Sequence, residues 1–346
     1  MDIILLNKDL EEKYTEFVAS ENRSLFYHSL KYRDFLTGML GCLSEYYLSM
    51  HDDQVTGILP VMKKDGKFGI VCNSLPFYGS NGGILASDQN SFGLLLAKYN
   101  EIVSADNVAA SSLITNPLAE NDYSGLKHDL TDERRSQFSN INFKKDISGS
   151  LMRSFHSKTR NMIRKAVKSE ISVEIDNTQL EPLKYLHRKN MSAIGGRPKG
   201  DDFFRLLNEY FAAGDDYNIY VAKMRNEIIA VLLLFYHNNT AEYYMPVISE
   251  TYKELQPLSL IIYQAMIDCA KEGYNLWDWG GTWFSQEGVY RFKKRWGSID
   301  RNYRYYIKIN NKQLYNSSTG ELFEEYGNFY VIPYAALKKI PVSPNQ

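Results

Sequence analysis

The chain has 346 residues, 44% of them hydrophobic and 14% aromatic, which is enough apolar material for two domains with cores of their own. Forty basic residues against 41 acidic ones exclude a globally cationic nucleic-acid binder and leave room only for local patches. Cys42, Cys72 and Cys269 stand apart, without the spacing of a metal site or a disulfide framework, so they read as buried thiols.

Residues 3–6 read as a strand, 10–18 as an acidic helix, and 31–36 as the opening of a short helix. Three short strands are expected at 45–50, 54–62 and 68–72, joined by hairpin-type polar turns at His51-Asp52-Asp53 and at 63–67. Pro76, Phe77, Tyr78, Gly79, Gly82 and Gly83 then fall in one loop, which reads either as a cleft wall that lets backbone approach a ligand or as a strained turn. A helix over 92–105, a strand over Val108–Ile114, a polar loop over 117–132 and a strand or edge over 134–138 follow. A domain boundary is expected near 146–150.

Residues 151–169 have the spacing of one amphipathic helix, with Leu151, Phe155, Met162, Ile163, Ala166 and Val167 on its apolar face. Its other side carries Lys158, Arg160, Arg164, Lys165 and Lys168, either a solvated face or one turned to a phosphate-rich partner. After a strand at Ser172–Ile175 and a helix ending at 187–190, the loop 192–200 holds Gly195, Gly196, Arg197 and Lys199, a candidate anion clamp. A helix over 202–213 precedes strands at Tyr217–Met224, Glu227–His237 and 241–247, an apolar helix over 258–270 and a strand over 276–279. Past the turn Gly280-Gly281-Thr282, Ser285 can cap a helix with Val289, Phe292 and Trp296 as its apolar stripe, and a last strand ends at Ile309. Lys293 lies at the edge of that stripe.

From residue 217 onward the order is strand, strand, strand, helix, strand, helix, strand, a mixed α/β pattern that matches the GNAT acyltransferase fold. In that fold the acyl donor lies in a splayed gap between two central strands, here 241–247 and 276–279. The sequence also resembles the FemAB family of peptidyl-bridge aminoacyltransferases. The likeness is carried by Ser157-Lys158-Thr159-Arg160-Asn161-Met162-Ile163-Arg164-Lys165-Ala166, Tyr243-Tyr244 with the helix leading to Lys271-Glu272-Gly273, Trp279-Gly280-Gly281-Thr282, and Phe292-Lys293-Lys294-Arg295-Trp296-Gly297.

The resemblance implies an α/β protein of mixed sheets, built as two tandem GNAT-like domains, 1–148 and 149–309, with the tail 310–346 packing back on the first. It implies Phe292 and Lys293 as the catalytic pair, Lys293 stabilising charge at the acyl carbonyl. Acceptor contacts are implied for Tyr244, with Tyr243 its neighbouring alternative, and for Arg197, which would hold acceptor phosphates. The family's early basic residue falls at Leu36, so either Lys31 or Arg33 takes its place or the acceptor differs from the family's; Tyr78 is carried as a cleft-wall contact. The turn 252–259, which supplies Gln256 and Ser259 as donor-binding residues, has no glycine, and Pro257 removes one amide, which disfavours coenzyme A. Lys158 and Arg164 would face tRNA phosphates.

The implied activity is acyl or aminoacyl transfer that forms an amide on an amine of a cell-wall or surface-polysaccharide precursor. The donor would be aminoacyl-tRNA or acyl-CoA, with no tightly bound cofactor and no metal. Implied partners are a nucleotide- or lipid-linked glycan or peptide acceptor, tRNA and a membrane surface, but not DNA. One alternative is an acyl-CoA-dependent N-acyltransferase acting on an amino sugar; another is a non-catalytic scaffold for a glycan or partner, in which Lys293 is a structural ion-pair residue. No general base is assigned among His28, Asp278 and Glu287. No apolar run approaches a membrane span, and the start MDIILLNKDLEEKY lacks the parts of a secretory leader, so a cytoplasmic location is expected.

Overall fold

The structure, a computed structural model, describes residues 1–77 and 81–337; Tyr78 therefore lies outside the described residues. The chain divides into two compact units, Met1–Arg134 with the residues from Asn302 onward, and Arg135–Arg301. In the first unit β1 (Asp2–Leu5), β2 (Leu43–His51), β3 (Gln54–Lys64) and β4 (Ile70–Asn73) are consecutive antiparallel neighbours, with α1 (Glu11–Ser20) and α2 (Leu30–Leu40) between β1 and β2. Asp52 and Asp53 turn the β2–β3 hairpin with φ of 47° and 65°, the pair of positive values that a two-residue hairpin turn needs. The short β5 (Leu85–Ala86) pairs with β3, and α3 (Gln89–Val103) leads to β6 (Val108–Ile114), which joins β4 in parallel. Asp88 caps α3, and Phe92, Leu95, Leu96, Tyr99 and Val103 recur at helical spacing to close the core over Leu59, Val61 and Cys72.

β7 (Leu130–Asn140) carries the chain from the first unit into the second. There α4 (Ile147–Ser154), α5 (Ser157–Lys168), β8 (Ser172–Ile175), α6 (Leu180–Ala193) and α7 (Asp201–Tyr210) precede β9 (Tyr217–Met224), β10 (Glu227–His237) and β11 (Thr240–Ile248). The crossover helix α8 (Pro257–Glu272) leads to β12 (Leu276–Thr282) and α9 (Glu287–Lys294). The sheet order is β7-β12-β11-β10-β9-β8, with only the β11–β12 pair parallel. Along β10, Ala230, Leu232, Leu234 and Tyr236 turn into the core with Ile261, Ile262 and Ala265 of α8, while Phe235 turns the other way onto Phe211 and Tyr244.

Three expectations change. The units part at Arg134 and Arg135, inside β7, rather than near residue 148, because β7 hydrogen-bonds to β12 over Arg135–Asn140. The helix read over 151–169 is two helices, broken at Phe155 and His156, both extended. The break lets Phe155 pack edge-on to Trp296, with ring centroids 4.9 Å apart, and lets His156 cap α5. Finally, β13 (Ile299–Ile309) pairs through Tyr305–Ile309 with β6 of the first unit instead of closing the second. The tail continues in that first unit: α10 (Thr319–Tyr326) places the Tyr326 hydroxyl on the Gly69 carbonyl at 2.8 Å, and Tyr330 exchanges two hydrogen bonds with the Asn73 side chain.

Candidate active site

The two central strands of the second unit hold register only over Thr240–Glu242 against Leu276–Asp278. Beyond that point β11 continues on β10 and β12 continues on β7. Each strand carries a bulge just past the last shared pair. Tyr244 is the extra residue of β11, because Leu234 faces Tyr243 while Leu233 faces Met245. On β12, Trp279 and Gly280 together span one residue of β7, since Asp278 faces Phe138 and Gly281 faces Ser136. Gly280 has φ 68°, the left-handed conformation that favours glycine. The result is a V-shaped gap with Glu242 and Asp278 at its apex.

Lys293 closes the β12 side. It is 6% exposed, and its Nζ donates to the Gly280 and Gly281 carbonyls, both at 3.0 Å, and to the Thr282 hydroxyl at 2.8 Å. An ammonium has three N–H groups, so all three have acceptors here. Burial lowers its pKa to about 8, against the opposing pull of the Asp278 and Glu242 carboxyl groups. Lys293 is therefore well inside the unit rather than at the edge of a stripe. The local sequence explains this: Gln286 rather than Ser285 is the cap residue, Val289 is exposed, and α9 ends at Lys294, so Trp296 belongs to the turn after it. Gly297, at φ 74°, ends the segment, and a Cβ there would stand 2.9 Å from the Ser154 carbonyl.

Strand β7 supplies a polar row beneath these groups. Ser136 Oγ lies 3.5 Å from Asp278 Oδ1, and Thr282 Oγ1 donates to Gln137 Oε1 at 3.5 Å. Gln137 Nε2 donates to Ser298 Oγ at 3.1 Å. Ser139 accepts from Trp279 Nε1 at 2.9 Å and donates to the Trp296 carbonyl at 3.1 Å. Asp278 is fully buried, and burial holds its carboxyl above the usual range. Phe292 and Tyr243 both pack on Trp279, with centroids at 6.0 and 5.0 Å, so they form part of the aromatic wall with Trp277 and Trp296.

Across the gap, Tyr244 stacks on Phe203 at 5.9 Å and meets Phe235 edge-on at 5.0 Å. Lys199 reaches the same rings: its Nζ lies 4.8 Å from the centroids of both Phe203 and Tyr244 and 3.3 Å from the Tyr244 hydroxyl. Burial lowers this amine to about 7. Its backbone amide donates to His187 Nε2 at 3.0 Å, and burial lowers that imidazole to about 4, which fits a neutral acceptor.

The remaining expected residues are placed as follows. Arg197 is exposed in the loop between α6 and α7, and Lys158 and Arg164 are exposed on α5, whose His156 amide and Thr159 hydroxyl both donate to the Arg295 carbonyl just past α9. Gln256 and Ser259 stand at the start of α8. There Pro257 brings no N–H, and the Ser259 and Leu260 amides both donate to the Gln256 carbonyl, so little of the positive helix end remains for a pyrophosphate. In the first unit, Lys31 is exposed at the start of α2 and Leu36 is fully buried. Sequence reading missed Glu242, Lys199 as a ring-bound amine, and the β7 row of Ser136, Gln137 and Ser139. A lone acid between apolar neighbours in a buried strand, as at Ala241-Glu242-Tyr243, was the available signal for the first.

Residues 153–294 match the family model described as an acetyltransferase (GNAT) domain, a span that takes in both splayed strands and ends at the last residue of α9. Among solved structures, FemX aligns with a TM-score of 0.71 at 16% identity, over 91% of this chain and 99% of FemX. The C-terminal domain of a protein described as a lysylphosphatidylglycerol synthetase from Agrobacterium fabrum gives 0.57 at 10% identity, over 94% of this chain and all of that domain. A conserved protein of unknown function from Bacteroides thetaiotaomicron gives 0.57 at 11%, over 88% and 98%. No curated protein matches the sequence.

Proposed function

We propose that this chain, an acyltransferase with the FemAB-like tandem GNAT fold, moves an aminoacyl group from aminoacyl-tRNA to an amine on a cell-wall, surface-polysaccharide or lipid-linked precursor. The observation that carries the reading is Lys293, a buried cation fixed on the Gly280 and Gly281 carbonyls beside the gap where a GNAT fold takes its acyl donor. Attack of the acceptor amine on the donor ester forms the C–N bond and leaves negative charge on the former carbonyl oxygen. The ester C–O bond then breaks, and the proton lost by nitrogen ends on the leaving oxygen. One ammonium N–H must turn from its present acceptor to meet the oxyanion. The contact with Thr282 is the one that can open, because that hydroxyl also has Gln137 as a partner. A single well-placed donor in such a site contributes about 3–4 kcal/mol to the barrier.

The closed first turn of α8 favours a donor without pyrophosphate, and the exposed cations Lys158 and Arg164 offer phosphate contacts. The solved relative whose name joins lysine to phosphatidylglycerol supports a lipid as one acceptor class, which would bring the chain to a membrane surface although no helix of the described residues is long and apolar enough to cross one. Tyr244 and Arg197 of the second unit remain the acceptor contacts in this reading. The GNAT acetyltransferase match favours a second reading, acyl-CoA-dependent acylation of an amino sugar. Purified protein given labelled aminoacyl-tRNA and precursor extract is expected to form an amide product that ribonuclease abolishes. Saturable acyl-CoA binding with turnover indifferent to ribonuclease establishes the second reading instead.

A further inference from the structure

Arg135 is the first residue of the second unit and pairs across the β7–β12 ladder with Thr282, the outer end of the β12 arm of the gap. Side chains of a directly paired couple stand on the same face of a sheet, so Arg135 shares the face of the Thr282 hydroxyl that accepts from Lys293 Nζ. Helix α9 covers this face: the Gln137 side chain, two residues along β7, donates to the Tyr290 carbonyl at 3.4 Å. The half-buried Arg135 guanidinium has its carbon 4.3 Å from the Phe284 ring centroid and 4.7 Å from that of Tyr290. Tyr290 is itself fixed, its hydroxyl donating to Asp300 at 3.0 Å. The carboxylates at the start of α9 and of β13 have other cations, Arg291 on Glu287 and Lys294 on Asp300. Among the described residues the Arg135 guanidinium has no hydrogen-bond acceptor and no ion-pair partner.

Two rings thus hold the plane of this guanidinium while its five N–H groups remain unassigned. A guanidinium presents those donors as a rigid fork that matches two oxygens of a phosphate, which a lysine in the same place would meet only as a point charge. We propose that Arg135 is a phosphate-binding residue that takes the phosphate nearest the acyl ester of the donor, with the Phe284 ring, 45% exposed, as the surface for the adjoining base. This rests on the aminoacyl-tRNA reading above. In such a donor one ribose carries both the ester and the nearest phosphate, so a carbonyl at Lys293 brings a phosphate within the span of a single nucleotide. In acyl-CoA the pantetheine arm separates the thioester from the phosphates. A phosphate site on the residue paired with Thr282, which holds Lys293, therefore fits a nucleotide ester and not a thioester.

The test is binding of uncharged tRNA to the full chain, with intact tRNA and with tRNA trimmed of its 3′-terminal nucleotide, phosphate included, over a series of salt concentrations. Arg135→Gln is expected to weaken binding of intact tRNA about tenfold, to the level of trimmed tRNA, and to reduce the salt slope by about 1. Arg135→Lys keeps the charge and is expected to keep the slope while losing affinity for intact tRNA. Equal losses on intact and trimmed tRNA, or an unchanged slope in Arg135→Gln, overturns the proposal. Wild-type protein gives a check that needs no variant: phenylglyoxal modification of Arg135, read by mass spectrometry, is expected to be blocked by intact tRNA and not by trimmed tRNA. Modification indifferent to both overturns the proposal as well. Wild type that binds no tRNA removes the donor reading and this site with it, whereas wild type that binds intact tRNA without these Arg135 signatures removes the site alone.

Discussion

Burial and charge pull Lys293 in opposite directions, and burial is the larger, so its pKa falls from the ordinary 10.5 to about 8. Two pH trends of opposite sign follow. If the ammonium stabilises the oxyanion, turnover falls as pH rises through about 8. Between about 8 and 10.5 the unfolded chain binds a proton here that the folded chain does not, so this group's contribution to unfolding free energy rises with pH. The stability of wild type minus that of Lys293→Met is therefore expected to increase from pH 7 to pH 10, as read by urea unfolding. At neutral pH Lys293→Met is expected to lose on the order of 100- to 1,000-fold in turnover. Thr282→Val, which removes the exchangeable acceptor together with the hydroxyl's bond to Gln137, is expected to stay within about tenfold, and equal losses in both would show that Lys293 acts only as part of the fold. The cation itself was legible in the sequence as a lysine beside a buried aromatic. Its place beside the apex of Glu242 and Asp278 was not, because the register of a parallel pair depends on how α8 returns the chain, and no local pattern encodes that.

At the level of elements, the backbone ladder of β7 and β12 is reinforced by buried side-chain hydrogen bonds from Ser136, Gln137 and Ser139. Ser139 serves Trp279 on one side and the Trp296 carbonyl on the other. Ser139→Ala leaves a buried indole N–H without its acceptor, a change expected to cost about 1–3 kcal/mol in urea unfolding, with altered tryptophan fluorescence. The strands β9 and β10 could be read directly, since their apolar runs meet at the polar turn Arg225-Asn226. The bulges could not: Tyr243 and Tyr244 look alike in sequence, and only the pairing register shows that Tyr244 is the extra residue, with the Tyr243 ring on Trp279 and the Tyr244 ring on Phe203. The break at Phe155-His156 escaped for a similar reason, because its cause is Trp296, far along the chain.

At the level of the whole molecule, the two-unit organisation was visible in composition and in the order of elements, but the strands that the units use were not. A fragment of residues 135–301 keeps the part of β7 that pairs with β12 and the sheet from there to β8, whereas 149–301 loses β7 and bares the edge of β12 with Asp278 beside it. The longer fragment is expected to be soluble with cooperative thermal unfolding and the shorter one to aggregate, as judged by gel filtration and circular dichroism. The pairing of β6 with β13 has a bearing on synthesis. As the chain leaves the ribosome, the strand partner of Ala110–Ile114 is Tyr305–Ile309, which emerges only after the entire second unit. The inserted unit can reach its native state while the enclosing one still shows an open strand edge, so the nascent protein needs protection at its beginning rather than in its middle.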